Sequence, residues 1–80
     1  MWYVYILRSQ KHLKSYVGST NDIKRRLNEH NSGNSEYSRK YKPWSIIKLE
    51  QFNTSQEART RERYLKSGVG RKEMKALFKY

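Results

Sequence analysis

Two short runs of apolar and aromatic residues near the N-terminus define the first structural elements of the chain. They span residues 2 to about 8 and 14 to about 20, and a polar segment separates them. β-branched and aromatic residues are typical of strands, and the polar segment is long enough for a hairpin loop. The pattern predicts an antiparallel hairpin in which the phenols of Tyr5 and Tyr16 come close together.

A first helix is predicted directly after this hairpin. Residues 20–22 provide a side-chain acceptor for the free amides of a helix start and an acid for its first turn. The helix is expected to run to about residue 30, with Ile23 and Leu27 on its buried stripe. Residues 31–33, which include Gly33, tolerate left-handed backbone and are expected to end it.

The middle of the chain, residues 34–43, shows no clear period and is predicted to be a polar surface loop. Tyr37 and Tyr41 are interleaved there with basic residues, a combination that suits contacts with phosphates and bases. The cations concerned are Arg39, Lys40 and Lys42. A loop that is only solvated is the alternative interpretation.

The C-terminal half is predicted to add one strand and two helices. Residues 44–52 have strand composition, and Thr54 with Glu57 forms a capping box for a helix that reaches about residue 66. Gly68 is expected to close that helix. A last helix is expected over about residues 71–79, with one apolar face formed by Met74, Leu77 and Phe78. The order of elements is therefore β-β-α-β-α-α.

The charge of the chain points to the chemistry of its partner. Eighteen Lys and Arg residues stand against seven Asp and Glu among 80 residues, which gives a formal net charge of +11. A polyanion relieves self-repulsion of this size, and nucleic acid is the commonest polyanion. A solvated basic surface, a membrane surface and the ribosome are the alternatives.

Cysteine usage and hydropathy exclude two further classes of protein. The chain has no cysteine, so disulfides and thiolate metal sites such as zinc fingers are ruled out. No apolar run approaches the ~20 residues of a membrane-spanning helix. A cytoplasmic protein with a single domain over residues 1–80 is expected.

Three polar residues of the predicted helices are not explained by local structure. Arg26 and His30, four positions apart, project side by side from one edge of the first helix's buried stripe. A surface cation and a core-edge histidine with a backbone partner are the alternatives. Glu62 falls on the inward stripe of the second helix with Ala58 and Leu65. It is therefore either paired with a cation or holds a metal, and one carboxylate with waters and phosphates is a common Mg²⁺ site.

These candidate residues fit the requirements of phosphodiester hydrolysis. The reaction needs a base for the attacking water, a positive clamp on the phosphate, and a metal or acid at the leaving oxygen. The candidates that supply them are Tyr5, Tyr16, Arg26, His30 and Glu62. From the residues alone, a nuclease is the hypothesis.

The same residues resemble a known family. Residues 3–5 (YVY) and 16–18 (YVG) resemble the two signature tripeptides of the GIY-YIG endonuclease superfamily. Residues 19–33 resemble the small single-domain bacterial members, and residues 57–66 match their later helix. The resemblance covers about residues 1–79. It implies a small α/β (α+β) domain with a three-stranded antiparallel sheet flanked by helices. It also implies hydrolysis of DNA with one divalent ion, Mg²⁺ or Mn²⁺.

The resemblance also implies a role for each site residue. Tyr16, or else Tyr5, activates or orients the attacking water, and Arg26 clamps the scissile phosphate. His30 assists proton transfer or orients a tyrosine, and Glu62 is the metal ligand. Gly18 is expected to permit close backbone approach to the site. Lys24 and Arg25 are expected to contact nucleic acid, together with the three cations of the predicted loop.

The chain departs from the family pattern at two places. Its first tripeptide begins with Tyr3 instead of glycine, and residues 67–70 offer no counterpart to the later asparagine of larger members. A weakly specific or structure-specific DNA endonuclease is the favoured hypothesis. The alternatives are a non-catalytic nucleic-acid-binding module and a nuclease subunit that depends on a targeting protein. The choice of DNA over RNA comes from the family.

Overall fold

The computed structural model describes residues 1–77, and an antiparallel sheet with the strand order β2-β1-β3 is its framework. The strands are β1 (Trp2–Ser9), β2 (Ser15–Thr20) and β3 (Trp44–Phe52). Because β1 pairs with both neighbours, β2 and β3 each keep one open edge. The three predicted strands and their antiparallel arrangement are confirmed.

Helices cover both faces of this sheet. Over the described residues they are α1 (Ile23–Ser32), α2 (Glu36–Tyr41), α3 (Ser55–Lys66) and α4 (Gly68–Leu77). The order β-β-α-β-α-α and the α+β class are confirmed, with the short helix α2 as an addition. No helix in the described part of the chain has the length and hydropathy that crossing a membrane requires.

Helix α1 begins and ends with the predicted chemistry, although one residue has a different role. Asp22 was expected in the first turn and is instead the N-cap, where its side chain accepts a hydrogen bond of 3.1 Å from the amide of Arg25. Gly33 ends the helix in the left-handed conformation, with φ of 75°. A residue with a Cβ disfavours that backbone conformation, so glycine suits the position.

The short helix α2 shows that the loop prediction for residues 34–43 was wrong. Ser35 and Ser38 form a reciprocal cap, in which the hydroxyl of each accepts a hydrogen bond from the amide of the other. Tyr37 and Tyr41 lie one helical turn apart, and their ring centroids are 5.0 Å apart. Aromatic side chains at this spacing replaced the aliphatic stripe by which a helix is usually identified, so the segment looked aperiodic.

The boundary between α3 and α4 also differs from the prediction. Thr54 caps α3 as expected and accepts a hydrogen bond of 3.2 Å from the amide of Glu57. Ser67, rather than Gly68, ends this helix, and Gly68 is the first residue of α4. The last helix therefore starts three residues earlier than its apolar pattern suggested. Phe78 and Lys79, expected in that helix, lie outside the described residues.

The alternation of side chains along β1 divides the core into two layers. On one face Val4 and Ile6 pack against Ala58, Leu65 and Met74 of the two C-terminal helices. On the other face Tyr5, Leu7 and Trp44 form a second cluster, against which Tyr16, Ile23, Leu27 and Tyr41 pack. The sheet is therefore a middle layer, with α3 and α4 on one side and α1 and α2 on the other.

An ion-pair network ties the C-terminal helices to the edge strand β3. Arg61 of α3 donates to both carboxylate oxygens of Glu50 at 2.8 and 3.0 Å, and to Glu73 of α4 at 3.0 Å. The Arg61 hydrogen bond lowers the pKa of Glu50, although burial opposes this. Because bidentate pairs of this kind fix geometry as well as charge, the network orients α3, which carries Glu62.

Candidate functional site

The two tyrosines predicted to meet across the hairpin do so. Tyr5 is opposite Gly18 and Tyr16 is opposite Leu7, and the tyrosine rings stack with centroids 6.2 Å apart and an interplanar angle of 20°. Tyr5 is fully buried, at 0% exposure, whereas Tyr16 is half-buried. Tyr16 is therefore the tyrosine that a bound molecule reaches more easily.

Gly18 makes the position of Tyr5 possible. A Cβ atom at residue 18 would lie 2.6 Å from Cζ of Tyr5, closer still to its hydroxyl, and 3.0 Å from Cε1 of Tyr16. The Tyr5 phenol thus crosses β2 at the point where that strand has no side chain. Sequence reasoning expected Gly18 to admit close backbone approach to the site, and in the structure the phenol of Tyr5 uses that space.

His30 is the centre of the aromatic cluster around these phenols. Its Nε2 shares a hydrogen bond of 3.3 Å with the Tyr5 hydroxyl, and its ring centroid lies 4.5 Å from that of Tyr16. The residue is buried, and Nδ1 has no hydrogen-bond partner among the described residues. Burial and the positive charge of Arg26 lower the pKa of His30 below its usual value. His30 is therefore a neutral imidazole at pH 7.

Arg26 lies between the acid of its own helix and the buried phenol. Its Nη1 donates to Oε1 of Glu29 at 3.1 Å, a contact within one helical turn. Burial raises the pKa of Tyr5, and the neighbouring Arg26 acts against this rise. Hydrogen bonding to Tyr5 is likewise the main cause that raises the pKa of Arg26. A half-buried guanidinium is thus held beside the tyrosine pair.

Glu62 approaches the same region from the other helical layer. Its Oε1 accepts a hydrogen bond of 2.7 Å from Ser19, and its Oε2 forms an ion pair of 2.6 Å with Lys66. Burial raises the pKa of Glu62, but the hydrogen bonds from Lys66 and Ser19 outweigh it, so the pKa is below its ordinary value. The charge of Glu62 contributes to the raised pKa of Tyr5. The cation pair considered from the sequence is therefore present, and the carboxylate lies within electrostatic range of Tyr5.

The surroundings of Glu62 include residues that sequence reasoning missed. An open cavity of about 400 Å³ is lined by Glu62, Ser19, Arg59, Arg63 and Lys66. The three cations fall at intervals of four and three residues along α3, which is the spacing of one helix face. That period was the available signal. The residues together place a carboxylate within a positively charged cavity, an arrangement suited to a phosphate and its counter-ion.

The donor set at Glu62 fits a Mg²⁺ site that completes its coordination with water and phosphate. An ionised carboxylate and a hydroxyl adjoin an open cavity, and Mg²⁺ is commonly held by one or two carboxylates with several waters. Within residues 1–77 there is no cluster of three or more His, Cys, Asp or Glu side chains. The oxygen that Lys66 contacts would have to be shared with the ion or released to it.

The cations expected to contact nucleic acid lie on the outer surfaces of α1 and α2 and at the end of α2. Those concerned, all exposed, are Lys24, Arg25, Arg39, Lys40 and Lys42. The two tyrosines of α2 have roles of their own. Tyr41 is half-buried, with Lys14 and Lys40 each 5.5 Å from its ring centroid. Tyr37 stacks on Trp44 with ring centroids 5.7 Å apart.

The lowered pKa of His30 predicts a specific pH dependence of stability. As the pH falls below about 6.5, the unfolded chain takes up a proton at this residue that the folded chain resists, so folding stability is lost in that window. Urea unfolding of the wild type and of His30→Asn between pH 7.5 and 5 measures the effect. The wild type is expected to lose stability more steeply than the variant. Equal pH slopes would show that His30 is not the group responsible.

Comparison with protein families identifies the chain over almost its whole length. Residues 1–75 match the family model described as the GIY-YIG catalytic domain. The UPF0213 protein CPE1444 of Clostridium perfringens is 39% identical over 67 residues, which are 82% of this chain and 71% of that protein. The UPF0213 protein SAG0778 of Streptococcus agalactiae is 44% identical over 52 residues, 64% of this chain and 59% of its own length.

A solved structure supports the same assignment. The NMR structure of the UPF0213 protein BH0048 from Bacillus halodurans has a TM-score of 0.56 and 31% sequence identity to this chain. The match covers 96% of this chain and 85% of the other. The stretch of this chain that matches the family model, residues 1–75, contains the tyrosine pair, the α1 cation and histidine, and the α3 carboxylate. The chain therefore belongs to the GIY-YIG domain family.

Proposed function

We propose that the protein is a metal-dependent endonuclease that hydrolyses phosphodiester bonds in DNA. One observation carries the proposal: Arg26 and His30 adjoin the tyrosine pair from one helical layer, and Glu62 lies within electrostatic range of Tyr5 from the other. The three groups are a guanidinium, a neutral imidazole and an ionised carboxylate. Family membership supports a catalytic role, and the net charge of +11 supports a polyanionic substrate.

We assign each residue of the site a role that its position supports. Tyr16, the more accessible phenol, orients the attacking water. Tyr5 is buried, and it positions Tyr16 by ring stacking and His30 by a hydrogen bond. Arg26 stabilises the negative charge that grows on the phosphate oxygens, because a preoriented cation costs little reorganisation as the charge develops. His30 is neutral, so one of its ring nitrogens can accept a hydrogen bond, and through its contact with the Tyr5 hydroxyl it orients the tyrosine pair.

Glu62 with Ser19 is the proposed site of the divalent ion, Mg²⁺ or Mn²⁺. A bound ion there supplies charge stabilisation at the phosphate and leaving oxygen. Arg59 and Arg63 face the same cavity and attract the phosphate backbone towards it. The exposed cations of α1 and α2 extend this attraction over a longer stretch of nucleic acid.

A second candidate function is favoured by the ion pair between Lys66 and Glu62. In a non-catalytic nucleic-acid-binding domain, Glu62 would serve only to orient Lys66 and Ser19, both of which it contacts directly. The basic surface would then bind the phosphate backbone without hydrolysis. The two functions differ in whether adding a divalent ion leads to cleavage.

The decisive experiment compares Arg26→Ala with Arg25→Ala on a panel of labelled DNA. Single-stranded, nicked, flapped and branched substrates are incubated with Mg²⁺ or Mn²⁺, and matched RNA strands are included. Arg26→Ala is expected to lower kcat by about a hundredfold, the usual effect of removing one group that stabilises transition-state charge. Arg25 is exposed on the same helix, so Arg25→Ala is expected to raise KM and to reduce the salt dependence of binding by about one phosphate contact.

Two outcomes would contradict the endonuclease proposal. Cleavage that Arg26→Ala leaves unchanged would show that the activity does not use this site. Binding of DNA with steep salt dependence, but with no cleavage of any substrate in either metal, would establish the binding domain instead.

A further inference from the structure

A groove runs along the open edge of β2, next to the tyrosine pair. Its volume is about 520 Å³, within the range of pockets that hold small ligands. Its apolar lining comes from both helical layers and from β2 itself: Tyr16, Val17, Tyr37, Leu65 and Met74. Since β2 pairs only with β1, no further strand covers this edge in the described chain. The groove shares Tyr16 and Lys66 with the proposed catalytic region.

Tyr37 forms a rigid aromatic surface in this groove. Its hydroxyl donates a hydrogen bond of 2.8 Å to the carbonyl of Ser15, and its ring stacks on Trp44 at an angle of 25°. Despite these contacts, 39% of the residue is exposed. A ring that is fixed before binding loses little entropy when another flat ring stacks on it. Tyr37 therefore has the properties of a stacking platform for a planar ligand.

The charges along the groove select an anionic ligand. Lys66, Arg71 and Lys75 line it, and none of its lining residues in the described chain is acidic. A peptide strand could in principle add to the β2 edge, but it would not by itself satisfy three cations. A nucleotide matches both features, since its base is flat and apolar on its faces and its phosphate is negatively charged.

We propose that this groove binds an unpaired nucleotide of a DNA strand, with the base stacked on Tyr37 and the flanking phosphates held by Arg71 and Lys75. A base in a duplex is already stacked and paired, so only a single-stranded or extruded nucleotide presents its face to the tyrosine. Through Tyr16 and Lys66 the nucleotide adjoins the cleaved phosphate; this last point rests on the proposed function. The groove therefore makes unpaired DNA the preferred substrate.

The binding test uses the whole protein and EDTA, so that it does not depend on cleavage. Fluorescence anisotropy measures the affinity for a labelled 12-nucleotide single strand and for the same sequence as a duplex, at equal salt concentration. The single strand is expected to bind about tenfold more tightly. Tyr37→Leu, which keeps an apolar side chain but removes the ring, is expected to abolish this preference, a loss of about tenfold for the single strand. Tyr37→Phe keeps the ring and is expected to keep the preference.

A complementary change on the DNA makes the test independent of the variant's folding. Removing all bases from the strand, so that only the sugar-phosphate backbone remains, is expected to weaken binding to wild-type protein at least about tenfold. Equal affinity for single strand and duplex, or equal losses for both with Tyr37→Leu, would overturn the proposal. Absence of cleavage in Mg²⁺ with the strand preference intact would instead refute the endonuclease function and leave the groove assignment standing.

Discussion

Glu62→Gln is expected to reduce the rate of DNA cleavage by at least about a hundredfold while the protein stays folded. Glutamine has nearly the same shape as glutamate and can still accept a hydrogen bond from Ser19, which now lies 2.7 Å from Glu62. It carries no charge, so it loses both the ion pair with Lys66 and the affinity for a divalent ion. Single-turnover cleavage in Mg²⁺ measures the loss directly.

The matched control for this change is Glu57→Gln in the first turn of the same helix. Glu57 is exposed, and its carboxylate accepts a hydrogen bond of 3.0 Å from the Thr54 hydroxyl instead of the backbone amide that the predicted capping box requires, a contact that glutamine can also accept. The Glu57→Gln variant is expected to cleave DNA at the wild-type rate. Equal activity of Glu62→Gln and the wild type would show that the reaction does not need the Glu62 carboxylate.

Mn²⁺ binding separates the loss of a ligand from the loss of fold. Lys66, 53% exposed, contacts the carboxylate oxygen that an ion would use, so lysine and metal compete for it. Glu62→Gln is expected to abolish Mn²⁺ binding in a calorimetric titration, and Lys66→Gln is expected to strengthen it. Unchanged Mn²⁺ affinity in both variants would place the ion elsewhere.

Gly70→Ala is expected to lower the free energy of unfolding by about 1–3 kcal/mol, and the melting temperature by about 5–20 °C. A Cβ at this position would lie 2.5 Å from Cα of Leu65 and 2.7 Å from the carbonyl carbon of Tyr64. Both are backbone atoms of α3, so no side-chain rotation relieves the contact. The two helices must separate, and Leu65 loses packing in the core.

Gly68 provides the control two residues earlier in α4. A Cβ there meets no atom within 4 Å, and alanine is the better helix former. Gly68→Ala is therefore expected to be neutral or slightly stabilising in thermal and urea unfolding. Similar destabilisation by both changes would show that backbone conformation, rather than the contact with α3, makes glycine necessary at residue 70.

The sequence determined the elements of this protein whose signals are local. Alternation and composition identified all three strands, and caps identified the starts of α1 and α3, because each pattern depends on neighbouring residues. The same local reasoning failed for α2, whose cap is a pair of serines and whose face is aromatic. It also failed at the start of α4, because Gly68 can as readily begin a helix as end one.

The candidate site divides in the same way between sequence and structure. Family motifs and helical spacing singled out its chemical groups, from the tyrosine pair to Glu62. Only the tertiary structure decided that Tyr5 is buried and Tyr16 accessible, because that depends on which residues cover the open edge of β2. The groove at Tyr37 also depends on tertiary structure, whereas the cations around Glu62 lie on its own helix and follow from helical spacing. Packing of two helical layers against opposite faces of one sheet places residues of α1, α2, α3 and β2 around the same edge, and no pattern along a single segment contains that information.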